Sequence, residues 1–141
     1  MNKKISTTII EQLAQAAVSI KKNSYSPYSR FKVGAAVLAQ DGQIYTGTNI
    51  ENASFGLTVC AERNAIFAAV CAGNKKILAI ALCTDPIKGQ KFGTPCGACR
   101  QVMLEFMAKD APVVLVAEDK KGLSLQKKQL KDFVPYSFTK F

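Results

Sequence analysis

The chain has 141 residues, 48% of them hydrophobic, and a formal net charge of +9. That length suits a single domain over 1–141 with a real core, and no apolar run approaches the roughly 18–20 residues that span a bilayer. The charge sits on Lys3, Lys4, Lys21 and Lys22 near the start and on Lys120, Lys121, Lys127, Lys128, Lys131 and Lys140 near the end. Little arginine or aromatic character is interleaved, so solvated surface is expected rather than a nucleic-acid face, with anion binding as the alternative.

The N-terminus opens like a signal peptide, but Ser6, Thr7, Thr8, Glu11 and Gln12 break the apolar run that should follow, so a cytoplasmic location is expected. A first helix is expected over 7–22, where Ile9, Ile10, Leu13, Ala17 and Ile20 recur at helical spacing, with Thr8-x-x-Glu11 resembling a capping box. An irregular loop follows over 23–29. Strands over 33–39 and 43–49 flank Asp41-Gly42, a two-residue hairpin signal in which both residues tolerate positive φ. An alanine-rich helix over 60–72 stops at Gly73-Asn74.

The apolar run 77–83 reads as a central strand buried on both faces. A third helix over 97–109, a strand over 112–117, a short strand over 123–126 and a helical turn or two over 127–133 complete the chain. This order predicts an α/β fold, a three-layer α/β/α sandwich around a five-stranded mixed sheet, with two right-handed crossovers.

Five cysteines and no histidine define the chemistry. The odd count and the spacings do not fit a secreted disulfide framework, so metal binding or catalysis is favoured. Cys96 and Cys99 are three apart at a helix start, which puts both sulfurs on one face of the first turn. Pro95 suits the entry to that helix. Cys60 opens another helix, and helix N-termini favour the thiolates that metals require. Three ligands leave a position open for water, as in catalytic zinc sites.

Three thiolates and Zn²⁺ sum to a negative charge, which Arg63 and Arg100 can offset by donating to sulfur, unless both are plain surface residues. Glu62 lies close to the metal but is badly placed to be a ligand beside Cys60. It can move protons there, although the helix dipole alone would also explain it. Cys71 lies roughly 16 Å from Cys60 along the helix. Cys71 and Cys83 both read as core, with Cys83 not excluded from the metal by distance. A redox role for Cys96-Gly97-Ala98-Cys99 would leave Cys60-Ala61-Glu62 unexplained.

Cys60-Ala61-Glu62 and Pro95-Cys96-Gly97-Ala98-Cys99 match the signature of the zinc deaminases. Together with Tyr25-Ser26-Pro27-Tyr28-Ser29-Arg30-Phe31-x-Val33-Gly34-Ala35-Ala36, Asn49-Ile50-Glu51-Asn52-Ala53-Ser54 and Pro135-x-x-Phe138, the chain resembles the small homotetrameric cytidine deaminases over almost its whole length. The zinc pattern is shared across the superfamily, whereas the Asn-x-Glu and Ser-Arg-Phe stretches point to a free nucleoside.

The resemblance implies zinc held by Cys60, Cys96 and Cys99, with Glu62 shuttling protons. It further implies that the Ala61 amide faces the pyrimidine O2, that Asn49 and Glu51 hold the ribose 3′-hydroxyl, and that Phe31 packs on the base. Ala53, Phe55 and Phe138 would reach a neighbouring subunit's pocket. Many relatives carry tyrosine at position 55, so Phe55 removes one polar contact. Ordinary packing is the alternative for Phe31, Phe55 and Phe138.

The implied reaction is hydrolytic deamination of cytidine and deoxycytidine to uridine and deoxyuridine, in pyrimidine salvage. Deamination of a cytosine-nucleoside antibiotic such as blasticidin S, polynucleotide deamination, and a non-enzymatic zinc-stabilised binding module are the competing readings.

Overall fold

The computed structural model describes residues 4–141, so Lys3 of the N-terminal lysines lies outside the described residues. Its strands are β1 (Val33–Ala39), β2 (Ile44–Thr48), β3 (Ile77–Thr84), β4 (Pro112–Asp119) and β5 (Gly122–Gln129), and its helices are α1 (Thr7–Lys21), α2 (Ala61–Cys71) and α3 (Gly97–Phe106). The strands form one sheet in the order β2-β1-β3-β4-β5. Only β3 and β4 are parallel neighbours; the other three pairs are antiparallel.

Side-chain alternation along the strands divides the core into two layers. Ala36, Leu38, Ala79, Ala81 and Val114 face α1. Ala35, Val37, Ile80, Leu82, Val113 and Leu115 face the cluster that contains residues of α2 and α3. The result is the expected α/β/α sandwich. Both crossovers step the same way across the sheet, so connections of one hand put α2 and α3 on one face, as found.

Two glycines set how closely the helices approach. A Cβ at Gly34 would lie 2.1 Å from the Ala17 carbonyl oxygen of α1. One at Gly47 would lie 2.4 Å from the Ala65 amide of α2. Both helices therefore rest on bare strand backbone, and the second contact fixes the helix that begins next to Cys60.

Several local features differ from the sequence expectation. The α1 N-cap is Ser6, whose Oγ accepts from the Ile9 amide at 3.3 Å, so Thr8 and Glu11 lie within the helix instead of forming its capping box. In the β1–β2 hairpin only Gly42 has positive φ (80°), and its amide donates to the Ala39 carbonyl at 3.0 Å. Asp41 instead spends its carboxylate on the Gln43 amide, the Tyr45 hydroxyl and the Asn74 side chain.

The third helix ends at Phe106 because Met107 is extended and bridges to Ile77. β5 is eight residues long, and Lys127 and Lys128 belong to it, as suits an edge strand guarded by charge; only Leu130–Phe133 forms the final turn. Cys71 is exposed, not core, because it ends α2. Cys83 is buried, on the α1 face. Lys21 also departs from the solvated reading: its side chain is 13% exposed and ion-paired.

Candidate active site

Two helix starts meet at the C-terminal end of β3. Cys60 and Cys96 are the N-caps of α2 and α3, both in extended conformation, and neither side chain caps its own helix. Cys99 lies in the first turn of α3 and is fully buried. The three sulfurs lie within 4.8 Å of one another. Cys60 Sγ and Cys96 Sγ are 3.9 Å apart. A tetrahedral zinc with Zn–S bonds near 2.3 Å spaces its sulfurs by about 3.8 Å, so the donor set fits that ion. Among the described residues no other histidine, cysteine or carboxylate joins the cluster. Cys83 belongs to the opposite layer, which removes it as a fourth ligand.

The electrostatics favour the thiolate at Cys60. Hydrogen bonding with Cys99, and then with Arg63, holds the Cys60 thiol down at about 5. The same bond, together with burial, pushes the Cys99 thiol up. Arg63 Nη2 donates to Cys60 Sγ at 3.4 Å. Arg100 behaves differently from the expected sulfur donor. Its Nε donates to the Pro95 carbonyl at 2.7 Å and its Nη1 to the Phe133 carbonyl at 3.2 Å. It thus braces the approach to Cys96 against the C-terminal segment.

Glu62 follows Ala61 in the first turn of α2 and is 4% exposed. Burial pushes its carboxyl up to about 7. Ala61 opens the helix, where first-turn amides have no intrahelical acceptor.

A pocket of about 330 Å³ opens onto these groups and is also lined by Phe31, Asn49 and Glu51. Asn49 Nδ2 donates to the Phe31 carbonyl at 2.8 Å, and its Oδ1 accepts from the Val33 amide at 2.9 Å and from the Ser24 hydroxyl. Glu51 Oε1 accepts from the amides of Tyr28 (2.9 Å) and Ser29 (3.0 Å), and Oε2 from the Ser29 hydroxyl. The Ser29 hydroxyl is the largest of the effects that hold its carboxyl below the usual range. Arg30, at φ 56°, turns the chain from that anchor to Phe31.

Ala53, Phe55 and Phe138 are not part of this pocket. Phe55 is 73% exposed and meets Tyr28 edge-on, with ring centroids 5.7 Å apart. Phe138 is 64% exposed, its carbonyl held at 2.9 Å by the side chain of Gln101 on α3.

Sequence reasoning passed over one wall of the pocket. Thr84, Ile87, Gln90 and Thr94 line it from the connection between β3 and α3. The available signal was its position: it leaves the C-terminal end of a parallel strand, where α/β sites form.

The Gly47 contact carries a prediction. Gly47→Ala must push α2 off the sheet and with it the N-terminus that presents Cys60. Unfolding stability is expected to drop by about 1–3 kcal/mol, the usual cost of overpacking. Urea unfolding followed by circular dichroism measures this, and an unchanged midpoint would show that the contact relaxes freely.

Three sulfurs that could hold a metal ion thus lie beside a buried carboxyl and a pocket of about 330 Å³, the parts that a hydrolytic zinc site requires. Residues 7–115 match the model of the family described as the cytidine and deoxycytidylate deaminase zinc-binding region, and the chain belongs to that family. Zinc is its cofactor, and all three clustered cysteines lie within the matched region.

The chain is 48% identical over 105 residues to a cytidine deaminase of Halalkalibacterium halodurans, 74% of this chain and 77% of that one. It is 45% identical over 111 residues to a probable cytidine deaminase of Dictyostelium discoideum, 79% and 73% of the two chains. The crystal structure of the cytidine deaminase from Burkholderia pseudomallei matches with a TM-score of 0.81 at 38% identity, covering 95% of this chain and 100% of that one.

Proposed function

We propose that the protein hydrolyses cytidine and deoxycytidine to uridine and deoxyuridine, releasing ammonia, in pyrimidine salvage in the cytoplasm. The observation that carries the reading is Glu62, a buried carboxyl on the wall of a pocket that also reaches the sulfur cluster and the Asn49–Glu51 pair.

Zinc held by Cys60, Cys96 and Cys99 supplies an activated water near neutral pH. Glu62 takes a proton from the attacking water and delivers it to N3, which makes C4 electrophilic. The hydroxide that remains attacks C4. Glu62 takes the second proton from the new C4 hydroxyl and delivers it to the exocyclic amino group, and the C4–N bond breaks to release ammonia and leave a C4 carbonyl. The Ala61 amide donates to O2 of the base, and Phe31 packs against the ring. Arg63 donates to Cys60 and offsets part of the thiolate charge.

The hydrogen-bond capacity left at Asn49 and Glu51 supports ribose recognition. Asn49 Oδ1 already accepts from two donors, and one of the two Nδ2 protons is in use. Glu51 accepts three of about four possible bonds. One donor and one acceptor site remain, which is what a hydroxyl needs. A hydroxyl at the 3′ carbon accepts from Asn49 and donates to Glu51. Removing it strands both groups, so 3′-deoxycytidine is expected to fall at least about 10²-fold below cytidine in kcat/KM. An ultraviolet assay comparing cytidine, deoxycytidine, 3′-deoxycytidine and blasticidin S tests this. Equal rates for cytidine and its 3′-deoxy analogue would overturn the ribose assignment.

The active assembly is a homotetramer in which Ala53, Phe55 and Phe138 complete a neighbour's pocket. Tyr25, Tyr28, Ile50, Phe55 and Leu57 are exposed on and around the loops that frame the site, an apolar surface suited to burial between subunits. Phe138→Ala is expected to raise KM about 2- to 10-fold, equivalent to roughly 0.5–1.5 kcal/mol of lost stacking, with zinc content unchanged. Light scattering and activity on the same samples provide the check. A fully active monomer would contradict the shared pocket.

A further inference from the structure

The wall of the pocket that carries Phe31 is held from both sides. Phe31 and Val33 line the pocket, and Asn49 grips the backbone at both. Lys32, between them, is held by Asp85. The Lys32 amide donates to Asp85 Oδ2 at 2.8 Å, and the Asp85 amide donates to the Lys32 carbonyl at 2.9 Å. Asp85 also sits between two other lining residues, Thr84 and Ile87, where β3 gives way to the connection leading to Cys96.

The carboxylate that does this is fixed from behind. Its Oδ1 lies 3.3 Å from Lys21 Nζ, and Lys21 also meets Glu118 Oε2 at 2.5 Å. Lys21 is the last residue of α1, and its side chain is 13% exposed. Burial works to discharge it, and hydrogen bonding to Glu118 and Asp85, with the charge interactions of Cys83 and Glu118, together more than offset that. α1 is seated on Gly34 through the region of Ala17 and Lys21, so the cation has a rigid base. An unbroken chain of contacts thus runs from α1 through Lys21 and Asp85 to the backbone between Phe31 and Val33.

We propose that Lys21 and Asp85 are positioning residues for the deamination, setting the height of the Phe31 wall over the base without touching substrate. The proposal rests on the cytidine deaminase reading. It differs from a merely structural ion pair in its kinetic signature, because the wall meets the base while the zinc cysteines and Glu62 stand on other elements. A displaced wall weakens substrate binding and leaves the chemical step nearly intact.

The test compares Asp85→Ala, Asp85→Asn, Lys21→Met and Lys21→Arg in the zinc-loaded enzyme. It reads KM, kcat, zinc content and amide hydrogen exchange at Lys32. Asp85→Ala is expected to raise KM for cytidine about tenfold, with kcat within about twofold and zinc unchanged, the pattern of lost binding without lost chemistry. Exchange at Lys32 rises in parallel. Asp85→Asn keeps an acceptor for that amide and, like Lys21→Met, gives a smaller rise of about threefold. Lys21→Arg restores the wild-type KM.

Unchanged KM and unchanged Lys32 exchange in Asp85→Ala and Lys21→Met would overturn the proposal. So would equal losses of kcat and zinc without a rise in KM. If the wild type does not turn over cytidine, the functional reading fails. Lys32 exchange then decides the bracing by itself, with unchanged exchange in Asp85→Ala overturning it.

Discussion

Glu62→Gln is expected to lower kcat for cytidine by about 10²–10⁴-fold, the range for a lost general acid–base group. The substitution keeps the shape of a side chain that is 4% exposed and removes its capacity to carry a proton. Glu62 is outside the three-sulfur cluster, so zinc should remain at about one per chain, as for a single catalytic site. KM should change little, because Asn49, Glu51 and Phe31 are untouched. Steady-state kinetics with metal analysis of the same preparation provides the check. Turnover near the wild-type rate would remove Glu62 from the mechanism.

Cys96→Ala should have the second-largest effect. Cys96 is exposed at the N-cap position of α3 with no capping hydrogen bond from its side chain, whereas Cys99 is fully buried in the first turn. The variant therefore removes a sulfur with little loss of packing, and its consequences report on the metal. Zinc affinity is expected to fall by at least about 10²-fold, more than the loss of a supporting contact costs. Because metal binds the folded site, the wild type should lose thermal stability on chelation, and Cys96→Ala should be insensitive to the chelator. Melting curves with and without chelator separate the two. Full zinc occupancy in the variant would break the assignment of the cluster.

The cysteine cluster was legible because its information is local. Cys96 and Cys99 share a helical turn by spacing alone, and Cys60-Ala61-Glu62 places a carboxyl beside a ligand whatever the rest of the chain does. The central strand was legible for a similar reason: the apolar run 77–83 is too short for an ordinary helix and suits a strand covered on both faces.

What was missed depends on partners far away in sequence. The Arg100 donors are taken by carbonyls of Pro95 and Phe133, and the second of these is invisible until the C-terminal segment is folded back. The extent of β5 was hidden because Lys127 and Lys128 read as polar chain; their strand state comes from pairing with Val114 and Val113. Lys21 looked like one more surface lysine, since the carboxylates that capture it come from β4 and from the residue after β3. The hairpin turn was misjudged because Asp41 finds three side-chain and backbone donors at ordinary φ, so only Gly42 takes the left-handed conformation.

The central claim, that three sulfurs hold a zinc which serves nucleoside deamination, is tested most directly by metal reconstitution. The protein is stripped with a chelator and titrated with zinc while cytidine conversion is followed by ultraviolet absorbance. Uridine formation should rise linearly with added zinc and level off at about one equivalent per chain, as a single three-cysteine site requires. Full turnover by the metal-free protein, or no turnover of cytidine at one equivalent of bound zinc, would contradict it.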